Sequence, residues 1–229
     1  MQQTASDFLR LEHLSKEVPS GDSQISILKD VNLLIKIGES IAIVGASGSG
    51  KTTLLTLMAG LDTPTNGQIY LKEYHLNLLD EERRAFIRGK YVGFIFQSFQ
   101  LLPTLTALEN VMLPLEIQYI SHQQAVRDAT EWLKRVGLGE RLHHYPAHLS
   151  GGEQQRVAIA RAFITRPEII LADEMTGNLD AHTGDLISDI LFSLNAEQKT
   201  TLVLVTHDKS LASRCERRLL LSEGVLQLC

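Results

Sequence analysis

A short apolar run followed at once by a glycine-rich loop constrains this sequence more than any other feature. Residues 41–44 are all aliphatic, which is typical of a buried strand. The loop at residues 45–52 follows directly, and a helical pattern begins at Lys51. Glycines let the backbone turn so that several N–H groups point at one place, backed by the positive end of a helix. The segment therefore predicts a strand, loop and helix that bind phosphate.

Two residues of this loop carry most of the predicted chemistry. The Lys51 ammonium should contact the β- and γ-phosphates of a nucleotide, and the Thr52 hydroxyl should ligate Mg²⁺. The alternative is a glycine-rich turn with a solvated lysine, but the full pattern lies between a strand and a helix, as phosphate binding requires. The predicted nucleotide-binding residues of the loop are Gly45, Ala46, Ser47, Gly48, Ser49, Gly50, Lys51, Thr52 and Thr53.

Composition excludes several classes of protein. With 229 residues and 44% hydrophobic content, the chain can bury a core of its own. Its net charge of −5 argues against a broad surface for nucleic acid, so no nucleic-acid partner is predicted. Two cysteines, Cys215 and Cys229, do not suggest a secreted disulfide framework, and a reducing compartment fits best. No export pattern opens the sequence, and no stretch reaches the roughly 20 apolar residues that cross a bilayer, so we expect a chain that is soluble by itself.

Strand-like and helical segments alternate along much of the chain. The further apolar segments with strand character are residues 67–71, 91–96, 168–172 and 201–205. This alternation predicts an α/β fold with a mostly parallel sheet that helices cover on both faces. Near the N-terminus, residues 8–14 and 25–37 are separated by turn-forming residues 19–22, which predicts an antiparallel hairpin or a sheet edge.

The middle of the chain lacks apolar strands. Residues 107–117 and 122–136 have helical spacing, and Pro103, Pro114 and Pro146 punctuate this part of the sequence. We interpret the whole chain as one domain with a helical subdomain at residues 97–149. This subdomain would be inserted into an α/β core that comprises residues 1–96 and 150–229.

Two adjacent carboxylates follow the apolar residues 169–172. Open parallel sheets bind ligands at the carboxyl ends of their strands. Neighbouring residues of a strand project in opposite directions, so Asp173 could hold the Mg²⁺ shell while Glu174 polarises the attacking water. Taken alone, such a pair is more often a helix cap or a solvated turn. The phosphate loop upstream makes a role in nucleotide hydrolysis the favoured interpretation.

A second glycine-rich helix start lies at residues 149–156. Ser150 and Glu153 have the spacing of a capping box, so a well-made helix start and nothing more is one interpretation. Directly after the cap, however, Gly151 and Gly152 remove side chains from a turn whose N–H groups could bind a phosphate.

Together these motifs resemble those of the ATP-binding cassette (ABC) ATPases. The phosphate loop, the Ser-Gly-Gly-Glu-Gln-Gln sequence at residues 150–155 and the Asp173-Glu174 strand end occur in the order seen in that family. The resemblance extends over nearly the whole chain. It implies a P-loop NTPase core of ABC type with a mostly parallel sheet, an N-terminal antiparallel β subdomain and an inserted helical subdomain. It also implies an ATPase that uses ATP and Mg²⁺.

The same resemblance implies roles for residues with weaker signals of their own. Gln97 is similar to the Q-loop glutamine that senses metal and water, Asp180 lies in a segment that resembles the D-loop, and His207 resembles the switch histidine at the γ-phosphate. The implied catalytic residues are Glu174, His207 and Gln97, and the implied metal ligands are Thr52, Gln97 and Asp173. Ser150, Gly151, Gly152 and Asp180 join the loop as nucleotide contacts.

The resemblance also implies partners. In ABC proteins the phosphate loop of one subunit faces the Ser-Gly-Gly motif of another, which implies a head-to-tail dimer of two copies around ATP. Residues 97–111 and 176–180 resemble the lipoprotein-release and macrolide-export branch, which implies an integral membrane permease and export or extraction of a substrate. The two copies would dock on the cytoplasmic side of the cell membrane through residues 97–110.

Two positions depart from the family pattern. Val18 stands where many members stack an aromatic residue on adenine, so we expect poor discrimination between ATP and GTP. Met175 follows Glu174 where the branch usually has proline, which leaves slow or poorly coupled hydrolysis open. A catalytically weak ATP-dependent assembly or regulatory module of a membrane complex therefore remains an alternative, and a non-transport ABC ATPase is a separate one.

Overall fold

The computed structural model describes residues 7–21 and 23–229. The chain divides into two compact units. The first consists of the described part of Met1–Arg88 together with Thr201–Cys229, and the second consists of Gly89–Thr200. The predicted boundaries of a helical subdomain at residues 97–149 stay a prediction.

Strands and helices alternate along the described residues. The strands are β1 (Asp7–Ser20), β2 (Ser23–Lys36), β3 (Ser40–Val44), β4 (Asn66–Leu71), β5 (Tyr74–His75), β6 (Val92–Ile95), β7 (Ile169–Asp173), β8 (Thr201–Val205), β9 (Arg217–Ser222) and β10 (Val225–Leu228). The helices are α1 (Lys51–Met58), α2 (Glu81–Tyr91), α3 (Ala107–Ile117), α4 (His122–Arg135), α5 (Gly151–Phe163), α6 (Ala181–Gln198) and α7 (Lys209–Ser213). Short 3-10 turns occupy Leu76–Leu78, Gly139–Arg141 and Pro146–His148.

The first unit contains an antiparallel sheet in the order β2-β1-β4-β5. β1 and β2 form the predicted N-terminal hairpin, and both strands are longer than their apolar segments because polar residues continue the pairing as far as Ser20 and Ser23. Asp22, which was predicted to be part of the turn, lies outside the described residues. Leu14, Leu28 and Ile35 are fully buried, so one face of the hairpin contributes to the core.

The same unit contains the strand that precedes the phosphate loop. β3 pairs in parallel with β8 on one side and with β9 on the other, and β10 pairs antiparallel with β9. Ile41, Ala42 and Ile43 are fully buried, as expected of a strand with neighbours on both sides. The β9–β10 hairpin was missed by the sequence prediction, because β9 opens with two arginines before a short run of leucines and a glutamine interrupts the apolar residues of β10.

The second unit contains the parallel pair β6 and β7 together with the long helices α3, α4, α5 and α6. β7 is buried at every residue, and the indole of Trp132 on α4 stacks on the ring of Phe163 on α5 with 5.9 Å between the ring centroids. Parallel pairing in both units, with helices between the strands, confirms the predicted α/β class. Within residues 7–21 and 23–229, no helix is both long and apolar enough to cross a membrane.

Candidate functional site

The phosphate loop closes around its own lysine. Lys51 is 5% exposed, and its Nζ donates hydrogen bonds to Gly45 O at 3.0 Å and Ala46 O at 2.8 Å. Helix α1 follows Gly50, whose φ of 98° is left-handed, and no side chain caps that end. Nearby, the Ser49 Oγ is buried without a hydrogen-bond partner among the described residues. A buried hydroxyl beside an uncapped helix start fits a phosphate ligand, because such a start presents N–H donors and a positive dipole.

His207 lies at the same strand edge as this loop. β8 runs parallel to β3, with Ile43 opposite Val205, so the residues after the two strands emerge together. Thr206 N donates to Ile43 O at 3.2 Å, and His207 follows as an exposed residue. The structure thus brings His207 to the edge of the sheet from which the phosphate loop leaves.

In the second unit, Gln97, Asp173 and Glu174 lie at the carboxyl ends of β6 and β7. Ile95 and Ala172 are opposite each other in the parallel register, and Gln97 and Glu174 each follow two residues later. Asp173 is the last residue of β7 and is only 5% exposed. The structure therefore brings this glutamine and the two carboxylates to one strand edge.

The two carboxylates diverge in a different way from the predicted one. Strand alternation would direct both to opposite sides, but Glu174 lies beyond the strand, in the left-handed region with φ of 38°. A turn in the backbone, not strand alternation, separates its carboxylate from that of Asp173. A left-handed non-glycine residue costs about 1 to 2 kcal/mol and is typical of functional turns. Met175 anchors this turn, because its side chain is 1% exposed.

The residues after Glu174 connect the two strand ends. Asn178 Nδ2 donates to Gln97 O at 3.0 Å, and Gly177 N donates to Glu174 O at 2.9 Å. A β-carbon at Gly177 would lie 3.3 Å from Gln97 Nε2 and 3.7 Å from Glu174 Oε2, so both side chains end close to this glycine. Gln97, Glu174, Gly177 and Asn178 therefore lie together at the ends of β6 and β7.

Asp180 has a structural role in this group. Its Oδ1 accepts a hydrogen bond from Thr183 N at 3.0 Å and caps helix α6. A hydrogen bond from the Thr183 side chain, followed by this bond from its backbone, holds the pKa of the Asp180 carboxyl below its usual value. The implied role of Asp180 in nucleotide binding stays a prediction.

The predicted capping box at the start of α5 is confirmed. Glu153 N donates to Ser150 Oγ at 3.3 Å, and Ser150 N donates to Glu153 Oε2 at 2.8 Å. Arg141 Nε also donates to Glu153 Oε1 at 3.0 Å. The bond from the Ser150 backbone, followed by those from Arg141 and the Ser150 hydroxyl, lowers the pKa of the Glu153 carboxyl despite partial burial. The turn is thus held rigidly by its own side chains.

Arg161, a residue that the sequence prediction missed, links α5 to the segment after Gln97. Its Nη1 donates to Gln100 O at 2.6 Å and its Nη2 donates to Phe99 O at 2.7 Å. Phe99 and Gln100 both have left-handed backbones, with φ of 60° and 52°. Burial lowers the pKa of the Arg161 guanidinium, and no carboxylate pairs with it among the residues described here. Its sequence signal is a lone charge in the apolar run of residues 157–163.

Val18 occupies the position that the resemblance assigned to a stacking aromatic residue. It is half-buried and pairs with Ile25 in the N-terminal hairpin. The expected weak discrimination between ATP and GTP stays a prediction.

Comparisons with known proteins all match this chain to ABC transporter ATP-binding proteins. The ABC transporter family matches residues 28–177, which is more than half of the chain. The chain is 54% identical over 223 residues to the uncharacterized ABC transporter ATP-binding protein YbbA of Escherichia coli (strain K12), covering 97% of this chain and 98% of that protein. It is 48% identical over 228 residues to the lipoprotein-releasing system ATP-binding protein LolD of Shewanella frigidimarina, covering 100% of this chain and 95% of LolD.

Solved structures agree with the sequence relatives. The ATP-binding cassette MJ0796, described as dimeric, in a post-hydrolysis state and bound to ADP and Pi, matches with a TM-score of 0.90 and 44% identity over 95% of this chain and 96% of its own. A dimeric structure of MJ0796, described as a bacterial ABC transporter cassette, matches with a TM-score of 0.90 and 45% identity. The resemblance to the ABC ATPases is thereby confirmed, and this chain belongs to the ABC transporter family as an ATP-hydrolysing cassette.

Proposed function

We propose that this chain is the motor subunit of a transporter that exports a substrate or extracts it from the membrane. In this role the chain would hydrolyse ATP as a head-to-tail dimer and drive a separate integral membrane permease. The observation that carries the proposal is the convergence of Gln97, Asp173 and Glu174 at the carboxyl ends of two parallel strands. The names of the YbbA and LolD relatives support the assignment to transport.

The groups of the first unit bind and sense the phosphates. Lys51 exchanges the carbonyls of Gly45 and Ala46 for phosphate oxygens, since an ammonium forms stronger hydrogen bonds with anions than with neutral acceptors. The N–H groups at the start of α1 and the Ser49 and Thr52 hydroxyls complete the cradle. His207 donates a hydrogen bond to the γ-phosphate and detects its presence.

The groups of the second unit prepare the water. Glu174 accepts a proton from the attacking water, and Gln97 orients that water from the neighbouring strand end. Asp173 and Gln97 carry oxygen donors of the kind that Mg²⁺ prefers, and Thr52 of the first unit does too, so each of these residues fits that ion. Mg²⁺, when bound, neutralises the negative charge on the β- and γ-phosphates.

A second copy of the chain completes each site. Ser150 and Gly152 of one copy contact the γ-phosphate held by Lys51 of the other, and Asp180 lies against the same junction. ATP then favours the closed dimer by the contacts that its γ-phosphate makes with both copies, and hydrolysis removes them. The dimeric structures of MJ0796 support this arrangement.

The permease docks on the cytoplasmic side of the membrane, against the segment after Gln97. Leu102 is 44% exposed there, and the buried Asn110 holds the loop around it. The Asn110 Oδ1 accepts from Leu102 N at 2.8 Å, and its Nδ2 donates to Leu102 O at 3.1 Å. A cavity of about 230 Å³ in the same unit is lined by Phe94, Phe96, Gln100, Pro114 and Arg161, among others.

Replacement of the proposed base tests the chemistry. Glu174→Gln should lower ATP turnover by about 10² to 10⁴ while nucleotide binding survives. With ATP and Mg²⁺ the variant should accumulate as a closed dimer, which gel filtration and phosphate release measure together. Fast turnover and an unchanged elution volume would contradict the proposal and would remove Glu174 from its role.

A matched control lies at the other end of the same strand. Glu168 is exposed and directly precedes β7, so Glu168→Gln makes the same chemical change away from the carboxyl edge. It should turn over ATP like the unaltered chain and should not accumulate as a dimer.

Replacement of the exposed loop leucine tests docking. Leu102→Asp should shift the protein from the membrane fraction to the soluble fraction of cells that contain the permease, as should loss of the permease itself. Burying a leucine contributes about 1.5 to 3 kcal/mol, so we expect membrane affinity to fall by a factor of about 10 to 10². Leu186→Asp is the control, because Leu186 on α6 is 46% exposed. Equal release of both variants would contradict docking at Leu102.

A further inference from the structure

Gly152, the second glycine of the α5 start, is packed against a residue of its own chain. A β-carbon at Gly152 would lie 2.5 Å from Thr183 Cγ2 and 3.9 Å from Thr183 Cβ. Non-bonded carbon atoms in proteins have their optimum at about 3.5 to 4.0 Å, so a side chain at this position would overlap the Thr183 methyl group. Gly152 is buried, so an added side chain could not turn away from Thr183 into solvent.

Thr183 is held in place and cannot easily withdraw. It belongs to the first turn of α6, where its backbone N–H donates to the capping Asp180. A β-branched side chain in a helix has few allowed χ1 values, so its methyl group has little freedom to move aside. One residue later, a β-carbon at Gly184 would lie 3.5 Å from Thr176 Cβ, so the same turn of α6 is closely packed on that side too.

The neighbouring glycine has a different environment. A β-carbon at Gly151 would lie 3.3 Å from Leu179 Cδ2 and 3.9 Å from Phe99 Cζ. These atoms are the ends of longer side chains, which can move by a few tenths of an ångström. The two adjacent glycines therefore differ, since packing inside the chain forbids a side chain only at Gly152.

We infer that Thr183 is a positioning residue, whose methyl group sets the place of the Ser150–Gly152 turn, and that Gly152 is required by this contact within its own chain. The inference rests on the proposed function, because the turn is positioned for the nucleotide of a second copy. Asp180 caps the helix that carries Thr183, so the D-loop segment and the Ser-Gly-Gly turn form one packed element.

A set of variants in the Glu174→Gln background tests this inference. Gly152→Ala should displace the turn and raise the ATP concentration needed for dimerisation, by about 10² for a displacement near 1 Å. Thr183→Ser removes only the methyl group that would overlap the new side chain. Alone, it should raise the ATP concentration needed for dimerisation by about fourfold, because one buried methyl group is lost. Combined with Gly152→Ala, however, it should restore dimerisation by at least about tenfold.

Gly151→Ala is the matched control within the same turn. Thr183→Ser should not rescue it, because the Thr183 methyl group is not its neighbour. ATP affinity of the separated monomers should stay the same in all these variants, which a general loss of structure would not allow. If Gly152→Ala with Thr183→Ser is as impaired as Gly152→Ala alone, the inference is overturned.

A second readout separates this inference from the proposed function. If the parent Glu174→Gln does not dimerise with ATP, the proposed function is contradicted. Thermal unfolding of the same variants tests the contact on its own, since Gly152→Ala should lower the melting temperature and Thr183→Ser should recover part of that loss. Absence of this recovery would overturn the contact whatever the dimer does.

Discussion

The two glycine-rich helix starts of this chain are built in opposite ways. Helix α1 begins after Gly50, with a left-handed backbone, no side-chain cap and no acidic residue in its first turn. Helix α5 begins after Ser150, with an extended backbone and a complete capping box. At an uncapped helix start, the free N–H groups and the positive dipole can bind an anion. At a capped start, side chains of the same helix already accept hydrogen bonds from those N–H groups. The first start is suited to enclose a phosphate, and the second presents a rigid surface to one.

The largest effect should come from the lysine of the uncapped start. Lys51→Met removes the ammonium that contacts two phosphates, and each charge-assisted hydrogen bond contributes about 1.5 to 3 kcal/mol. ATP affinity of the monomer should therefore fall by about 10² to 10⁴, as measured by calorimetry. Lys36→Met, at an exposed position of β2, is the control and should bind ATP normally. Normal ATP binding by Lys51→Met would contradict the assignment of the uncapped α1 start to phosphate binding.

A charge at the capped start should give the next largest effect. Ser150→Asp keeps the cap, because aspartate is as good an N-cap as serine, but places a carboxylate where the phosphate of a second copy should lie. Like charges brought together cost several kcal/mol, so ATP-driven dimerisation in the Glu174→Gln background should weaken by about 10² or more. Monomer affinity for ATP and the melting temperature should not change.

Loss of the cap without added charge should have a smaller effect. Ser150→Ala should lower the free energy of unfolding by about 0.5 to 2 kcal/mol and weaken dimerisation less than Ser150→Asp does. If Ser150→Asp dimerises as readily as its parent, the α5 start is a structural cap alone.

The smallest effect should be a pH dependence that only the capped start has. The Glu153 carboxyl has a lowered pKa in the fold, so its contribution to stability is present above its unfolded pKa of about 4.3 and is lost as the pH falls through the folded value. Glu153→Gln should lower the free energy of unfolding by about 0.5 to 1 kcal/mol at neutral pH. Its difference from the unaltered chain should vanish in acid.

Glu109 offers an internal reference for this experiment. It forms the same capping box with Thr106 at the start of α3, and the hydrogen bonds from Thr106 likewise lower the pKa of its carboxyl. Glu109→Gln should show the same pH profile without an effect on ATP-driven dimerisation. A constant difference at all pH values in denaturant unfolding would contradict the assigned role of these carboxylates.

Much of the fold and of the site could be predicted because the signals are local. β8 and α3 have the predicted bounds, since an apolar run between polar residues and a Thr-to-Glu capping box mark their ends in the sequence. The capping box at Ser150 was predicted from spacing alone. The roles of Gln97 and His207, by contrast, were implied only by resemblance, because a single polar residue after a strand has no specific local signal.

The sequence by itself determined the strands and helices with a clear apolar pattern, among them β8 and α3, where the phosphate loop begins and that the α5 start is capped, because each depends on residues within a few positions of one another. Only the tertiary structure decided that Glu174 turns out of its strand, that Arg161 holds the carbonyls of Phe99 and Gln100, and that Thr183 packs on Gly152. These contacts join residues that are far apart in sequence. Their geometry depends on how whole helices and strands pack, and no short-range pattern encodes that.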